Sequence, residues 1–237
     1  MSTQPEGRRA RGKRERAARI AEAAARLFDE SPFPEVTTQA IAQAADVAEG
    51  TLFRYACSKT ELLVMALNTR FDAALDAGLA AAARRDPLDT VGRLDALAGA
   101  LLFIGADRPD NAALYQRELL FPTMSGDYLT EGERIARRWE QAIAEPFEDL
   151  AAAQPQASPQ ASEAPTEPTA VGHVSTPARL AGSAAWDAIQ LSVARRARAG
   201  LPPLSRADLR GQFELLARAL TRPEVVTNTT NTQQESR

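Results

Sequence analysis

The stretch Thr37-Thr38-Gln39-Ala40-Ile41-Ala42-Gln43-Ala44-Ala45-Asp46-Val47-Ala48-Glu49-Gly50-Thr51-Leu52-Phe53-Arg54-Tyr55 decides the fold reading. Ile41, Ala44 and Ala45 recur at helical spacing behind Thr37, whose hydroxyl can cap the free N–H groups of a helix start. Asp46 and Val47 interrupt the run as a turn. A second short helix is predicted from Glu49 to Tyr55, with Leu52 as its inward residue. Two short helices joined by a tight turn have the geometry of a helix-turn-helix, whose second helix enters the major groove of DNA.

The flanks extend this pattern. Upstream, Ile20, Ala23, Ala24, Leu27 and Phe28 form one apolar stripe, which predicts a helix over about 13–30. Residues 1–10 are polar and read as disordered, and Ser31-Pro32-Phe33-Pro34 stops the helix. Downstream, Ser58 with Glu61 is a capping box. The helix it starts continues through Leu62, Ala66, Leu67, Phe71 and Leu75 toward Arg85. Three more helices are predicted over 88–106, 111–121 and 131–153, with Pro146 expected to kink or divide the last. Residues 154–177 hold five prolines among alanine, serine, glutamine and threonine, the composition of a flexible linker. Helices over 178–199 and 206–220 follow, the latter capped by Ser205, and then a polar tail over 223–237 expected to be disordered. No strand pattern occurs, so the chain reads as all-α. A three-helix domain with a basic N-terminal arm occupies 1–60, and a helical second domain occupies 61–222.

Charge is segregated. The chain has 237 residues, 44% of them hydrophobic, and a net charge of −3. Between Arg8 and Arg19, however, seven basic residues face one acid, Glu15, a local +6 that leaves −9 for the remainder. No stretch approaches the roughly 18 apolar residues of a membrane span, and the basic N-terminus leads into an amphipathic segment, so a cytoplasmic, nucleoid-associated protein without membrane contact is expected. With one cysteine, Cys57, and one histidine, His173, internal disulfides are excluded, and zinc sites or a histidine-based triad are hard to assemble. No metal, cofactor or catalytic residue is expected. A redox role for Cys57 has no resolving partner in the sequence.

The run Thr37 to Tyr55, followed by Ser58-Lys59 and Glu61-Leu62-Leu63, resembles the N-terminal domain of TetR-family transcriptional regulators over roughly residues 13–65. Three positions depart from the family's habit. Asp46 replaces a turn glycine, and aspartate tolerates the left-handed backbone region better than most residues. Ala48 stands where a serine usually caps the reading helix, a loss of about 1 kcal/mol. Ala56 stands where phenylalanine usually follows the tyrosine, which leaves less apolar filling.

With Leu52 inward, Glu49, Gly50, Phe53 and Arg54 face outward. Arg54 can fork onto guanine O6 and N7, and Phe53 can lie against a thymine methyl. Gly50 lets the backbone approach. Thr51, Tyr55, Lys59 and the cap at Thr37 or Thr38 are placed for phosphate oxygens, and Arg9, Arg11 and Lys13 for phosphate or minor-groove contacts.

The resemblance implies an all-α fold of an N-terminal helix-turn-helix domain and a C-terminal ligand-binding and dimerisation domain. It further implies a non-enzymatic regulator that binds a palindromic double-stranded operator as a homodimer, a repressor released by an unidentified small-molecule effector. The last two helices, with Ala181, Ala184, Ala185, Ile189, Leu209, Phe213 and Leu216, are the implied dimer interface, their small residues permitting close packing. Phe71, Phe103, Tyr115, Phe121, Trp139 and Trp186 are pocket candidates, though such aromatics at helical spacing also serve as core or dimer packing. Few polar anchors accompany them, which favours a mostly apolar ligand. Two rival readings are an architectural DNA-binding protein that senses nothing and an all-α enzyme. For the enzyme no nucleophile, metal or nucleotide motif is recognisable.

Overall fold

The computed structural model describes residues 8–104, 108–154, 176–196 and 205–221, and among these every regular element is a helix. The helices are α1 (Arg8–Glu30), α2 (Thr38–Ala44), α3 (Glu49–Leu52), α4 (Lys59–Ala82), α5 (Thr90–Ile104), α6 (Pro109–Leu120), α7 (Asp127–Ala152), α8 (Pro177–Arg196) and α9 (Arg206–Thr221). Nearly all of the predicted linker, the whole 223–237 tail, His173 and the side chain of Arg9 lie outside the described residues. Within them no helix is long and apolar enough to cross a membrane.

α4 organises the molecule. Leu62, Leu63, Val64, Met65, Ala66 and Leu67 are buried in succession, so the start of this helix is apolar all round. Such a helix is covered on every side. It packs on α1 and also on α5, α6 and α7. The core is therefore continuous from Ile20 and Ile41 through Leu75 and Trp139 to Phe213, and the expected division near residue 60 falls at a helix that serves both units.

Several expectations are corrected. α1 begins at Arg8, not near 13, so Arg11 and Lys13 ride on an ordered helix. Arginine and alanine favour helix, and Arg11 pairs with Glu15 one turn on, 3.8 Å away. In α2, Ala42 is buried and Ala44 exposed. α3 is a single turn, with Arg54 N–H bonded to Thr51 O (3.1 Å) and Tyr55 N–H to Leu52 O (2.8 Å) in the tighter i to i−3 pattern. α7 is not divided at Pro146, which is buried and whose carbonyl accepts from Thr90 Oγ1 at 3.3 Å.

Of the residues of the implied interface, Ala184 is exposed and Leu216 half-buried, and the rest are internal. Ala181, Ala185, Ile189, Leu209 and Phe213 are buried within the chain's own core. The small residues serve packing inside the protomer. A Cβ on Gly182 of α8 would stand 2.8 Å from Ala144 Cα of α7. The large apolar side chains that these two helices expose are Leu180, Leu191 and Leu215.

Candidate nucleic-acid interface

The local sequence builds the reading surface in three steps. Thr37 Oγ1 accepts from Ala40 N–H at 3.1 Å and starts α2. Asp46 then takes φ +53°, while Val47 N–H reaches Ala42 O (3.0 Å) and Asp46 N–H reaches Gln43 O (3.2 Å). This is the bond pair of a Schellman motif with aspartate in the left-handed position usually held by glycine. Ala48 makes no side-chain cap for α3, but Thr38 Oγ1 donates to Glu49 Oε1 at 2.8 Å and ties the two short helices together.

Leu52 and Ala56 are fully buried beneath, while Glu49, Gly50, Phe53 and Arg54 are exposed and Thr51 and Tyr55 half-buried. The outward set predicted from sequence thus shares one surface. Phe53 is 43% exposed, an apolar ring facing solvent. A Cβ on Gly50 would meet no heavy atom within 4 Å, so nothing in the protein's own packing asks for glycine there.

Lys59 has a different setting from the one expected. Its Nζ donates to the carbonyls of Phe33 (2.8 Å) and Val36 (2.9 Å), approaches that of Pro34 (3.4 Å), and lies 4.4 Å from the Phe33 ring centroid. The ammonium holds the loop between α1 and α2.

Sequence reading missed the junction behind this surface. Asn111 of α6 is buried; its Nδ2 donates to Phe28 O (2.6 Å) and Ser31 O (3.1 Å), and its Oδ1 accepts from Phe33 N–H (2.8 Å). Arg108 Nε donates to Asp29 O at 3.0 Å, and its guanidinium also reaches Glu30 O. The Arg70 guanidinium of α4 pairs with the Asp29 carboxylate. The end of α1 is thereby clamped by α4 and α6. No local signal marks these residues, because their partners on α1 and its loop lie 41 to 83 positions away.

α6 also walls a cavity shared with α4, α7 and α8. Phe71, Tyr115, Gln116, Trp139, Trp186 and Gln190 line it, and its remaining walls are apolar. Its enclosed space is about 20 Å³, room for one water. Phe71 and Tyr115 stack at 4.7 Å between centroids. Burial pushes the Tyr115 phenol above its ordinary value, assisted by Glu131 and Asp72. Of the six aromatic candidates, four meet here. Phe103 and Phe121 stand elsewhere, 79% and 72% exposed.

Comparison with known proteins agrees with this construction. Residues 20–66 match the family of bacterial regulatory proteins, tetR family. Over 59 residues the chain is 44% identical to the HTH-type transcriptional repressor KstR of Mycolicibacterium smegmatis, a match covering 25% of this chain and 29% of that relative. Solved structures share the fold. A TetR transcriptional regulator from Rhodococcus sp. RHA1 aligns over 89% of this chain and 97% of its own at 20% identity and TM-score 0.53. Thermus thermophilus FadR, in complex with lauroyl-CoA, aligns over 86% and 92% at 24% identity and TM-score 0.54. Bacillus subtilis FadR, in complex with stearoyl-CoA, aligns over 86% and 97% at 16% identity and TM-score 0.53. The helix-turn-helix of this chain thus lies within residues that match the tetR family, and the described helical body behind it shares the fold of these solved structures.

Proposed function

We propose that the chain is a sequence-specific DNA-binding repressor, acting as a homodimer on a palindromic operator and released by a small, mostly apolar ligand. The observation that carries this reading is the outward face of α3 and the turn that follows it, where Gly50, Phe53 and Arg54 are presented to solvent over a buried Leu52. Arg54 reads a guanine and Phe53 a thymine methyl. Thr37, Thr51, Tyr55, Arg11 and Lys13 meet phosphates, with Arg9 beside them. Glu49 and Thr38 brace the two helices against each other. Residues 1–60 form the reading unit and 61–222 the effector and dimerisation unit, coupled through α4 and α6.

That the KstR relative is a repressor supports repression, and the acyl-CoA complexes of both FadR proteins support a small-molecule effector on such a fold. One short reading helix contacts too few bases for specificity, and a two-fold pair doubles them. The test is selection of an operator from random DNA, followed by Arg54→Ala. The variant should lose about 1–3 kcal/mol on the selected site and relax choice at one base pair per half-site. An equal loss on operator and random DNA would remove Arg54 as a base reader.

A further inference from the structure

Two acids lie in the segment that builds the reading surface, and their settings differ. Asp46 sits in the turn, its carboxylate 3.9 Å from the Arg19 guanidinium. Glu49 stands exposed on α3 itself, beside Gly50, Phe53 and Arg54. A carboxylate only accepts, so the Thr38 hydroxyl gives its hydrogen to Glu49 Oε1 at 2.8 Å. That bond directs the side chain from α2. No other described residue takes Oε2, and Glu49 enters no ion pair among the described residues. One oxygen is held and one is offered.

A carboxylate on a DNA-facing surface opposes the phosphate field and lowers affinity for every sequence. The bond to Thr38 uses Oε1 and asks nothing of the second oxygen. A group that costs general affinity among the reading residues acts by discriminating between sequences.

The base edges state which sequence. In the major groove cytosine presents only a donor, the N4 amino group, whereas guanine presents the acceptors O6 and N7 and thymine the acceptor O4 beside its methyl. Facing guanine or thymine, a carboxylate oxygen meets lone pairs with a full negative charge. Adenine offers its N6 amino group with the N7 acceptor next to it. A single free carboxylate oxygen is therefore matched best by cytosine.

We propose that Glu49 makes the protein select cytosine at one position of each half-site, its Oε2 accepting from the N4 amino group while Thr38 holds Oε1. The proposal rests on the DNA-binding reading above and adds a base class to it. Where Arg54 takes a guanine, Glu49 takes a cytosine and rejects guanine and thymine.

The test is selection from random double-stranded DNA with the full-length protein, Glu49→Ala and Glu49→Lys, each variant checked for an unchanged helical melt. Titration of the selected sites then measures the preference. Glu49→Ala should bring a preference of about tenfold for cytosine over thymine at one position to near equality. Its affinity for random DNA should hold or rise, because one negative charge is gone. Glu49→Lys, which offers donors only, should move the same position to guanine. The other positions of the motif should stay as they are.

A motif identical in the native protein and both variants overturns the proposal and leaves sequence-specific binding in place. Equal weakening on operator and random DNA also overturns it, and makes Glu49 only a brace between α2 and α3. Failure of the native protein to enrich any motif overturns the sequence-specific reading itself, and the cytosine selection falls with it.

Discussion

At Gly50 the protein leaves open space that a methyl group could fill without contact. Alanine there should raise the stability of the domain by up to about 1 kcal/mol through helix propensity. On the proposed reading the same methyl would stand between the backbone of α3 and DNA, so operator affinity should fall tenfold or more, measured by titration beside a thermal melt. A loss of both together would mean that Gly50 serves the fold instead. Lys59 makes the opposite case. Its ammonium is committed to the carbonyls of Phe33 and Val36, and hydrogen bonds to a charged group contribute about 1.5–3 kcal/mol. Lys59→Ala should destabilise the domain by about 2 kcal/mol, and it should weaken DNA binding through a loosened loop between α1 and α2. Unchanged stability with a shallower salt dependence would return Lys59 to the phosphate-contacting set.

Among the elements, α6 has two tasks at its two ends. Arg108 just before it and Asn111 in its first turn hold α1, and one turn further along Tyr115 and Gln116 wall the cavity. Asn111→Ala would leave two carbonyls and the Phe33 N–H without their partner. Faster hydrogen exchange at the Phe33 amide is expected, with a stability loss of about 1–3 kcal/mol. Exchange at Phe33 that stays unchanged would show that the clamp carries no stability. The last turn of α6 is held separately. Burial alone would raise the Glu118 carboxyl, but bonds from Thr123 and Arg117 outweigh it and keep it below the ordinary glutamate value.

For the molecule as a whole, the apolar residues of α8 and α9 fall into two sets. Phe213 and Ile189 belong to the protomer's core, whereas Leu191 is 50% and Leu215 66% exposed. On the dimer reading, Leu191→Asp with Leu215→Asp should give a folded monomer, by sedimentation and circular dichroism, with operator affinity reduced at least a hundredfold. Phe213→Asp should instead unfold the chain, since a buried charge without a partner costs several kcal/mol. A double variant that stays dimeric would place the interface on another face. Ion pairs tie the body to itself at its rim: Arg206 of α9 meets Asp95 of α5 at 2.7 Å, and Arg138 of α7 meets Asp72 and Asp76 of α4.

Local signals in the sequence determined the all-helical class, the caps at Thr37, Ser58 and Ser205, the turn at Asp46 and the outward set on α3. Each depends on residues within one or two helical turns of one another, where spacing alone decides which side chains share a face. Only the tertiary structure decided what Lys59, Asn111 and Arg108 do, because each acts on backbone carbonyls more than twenty positions away that carry no side-chain signature. It also decided which aromatics converge. Phe71, Tyr115, Trp139 and Trp186 come from four helices, and their meeting depends on how those helices cross. Helical periodicity marks an apolar face but not the element that covers it. For that reason Ala181, Ala185 and Phe213 could be read as an interface until packing placed them in the core.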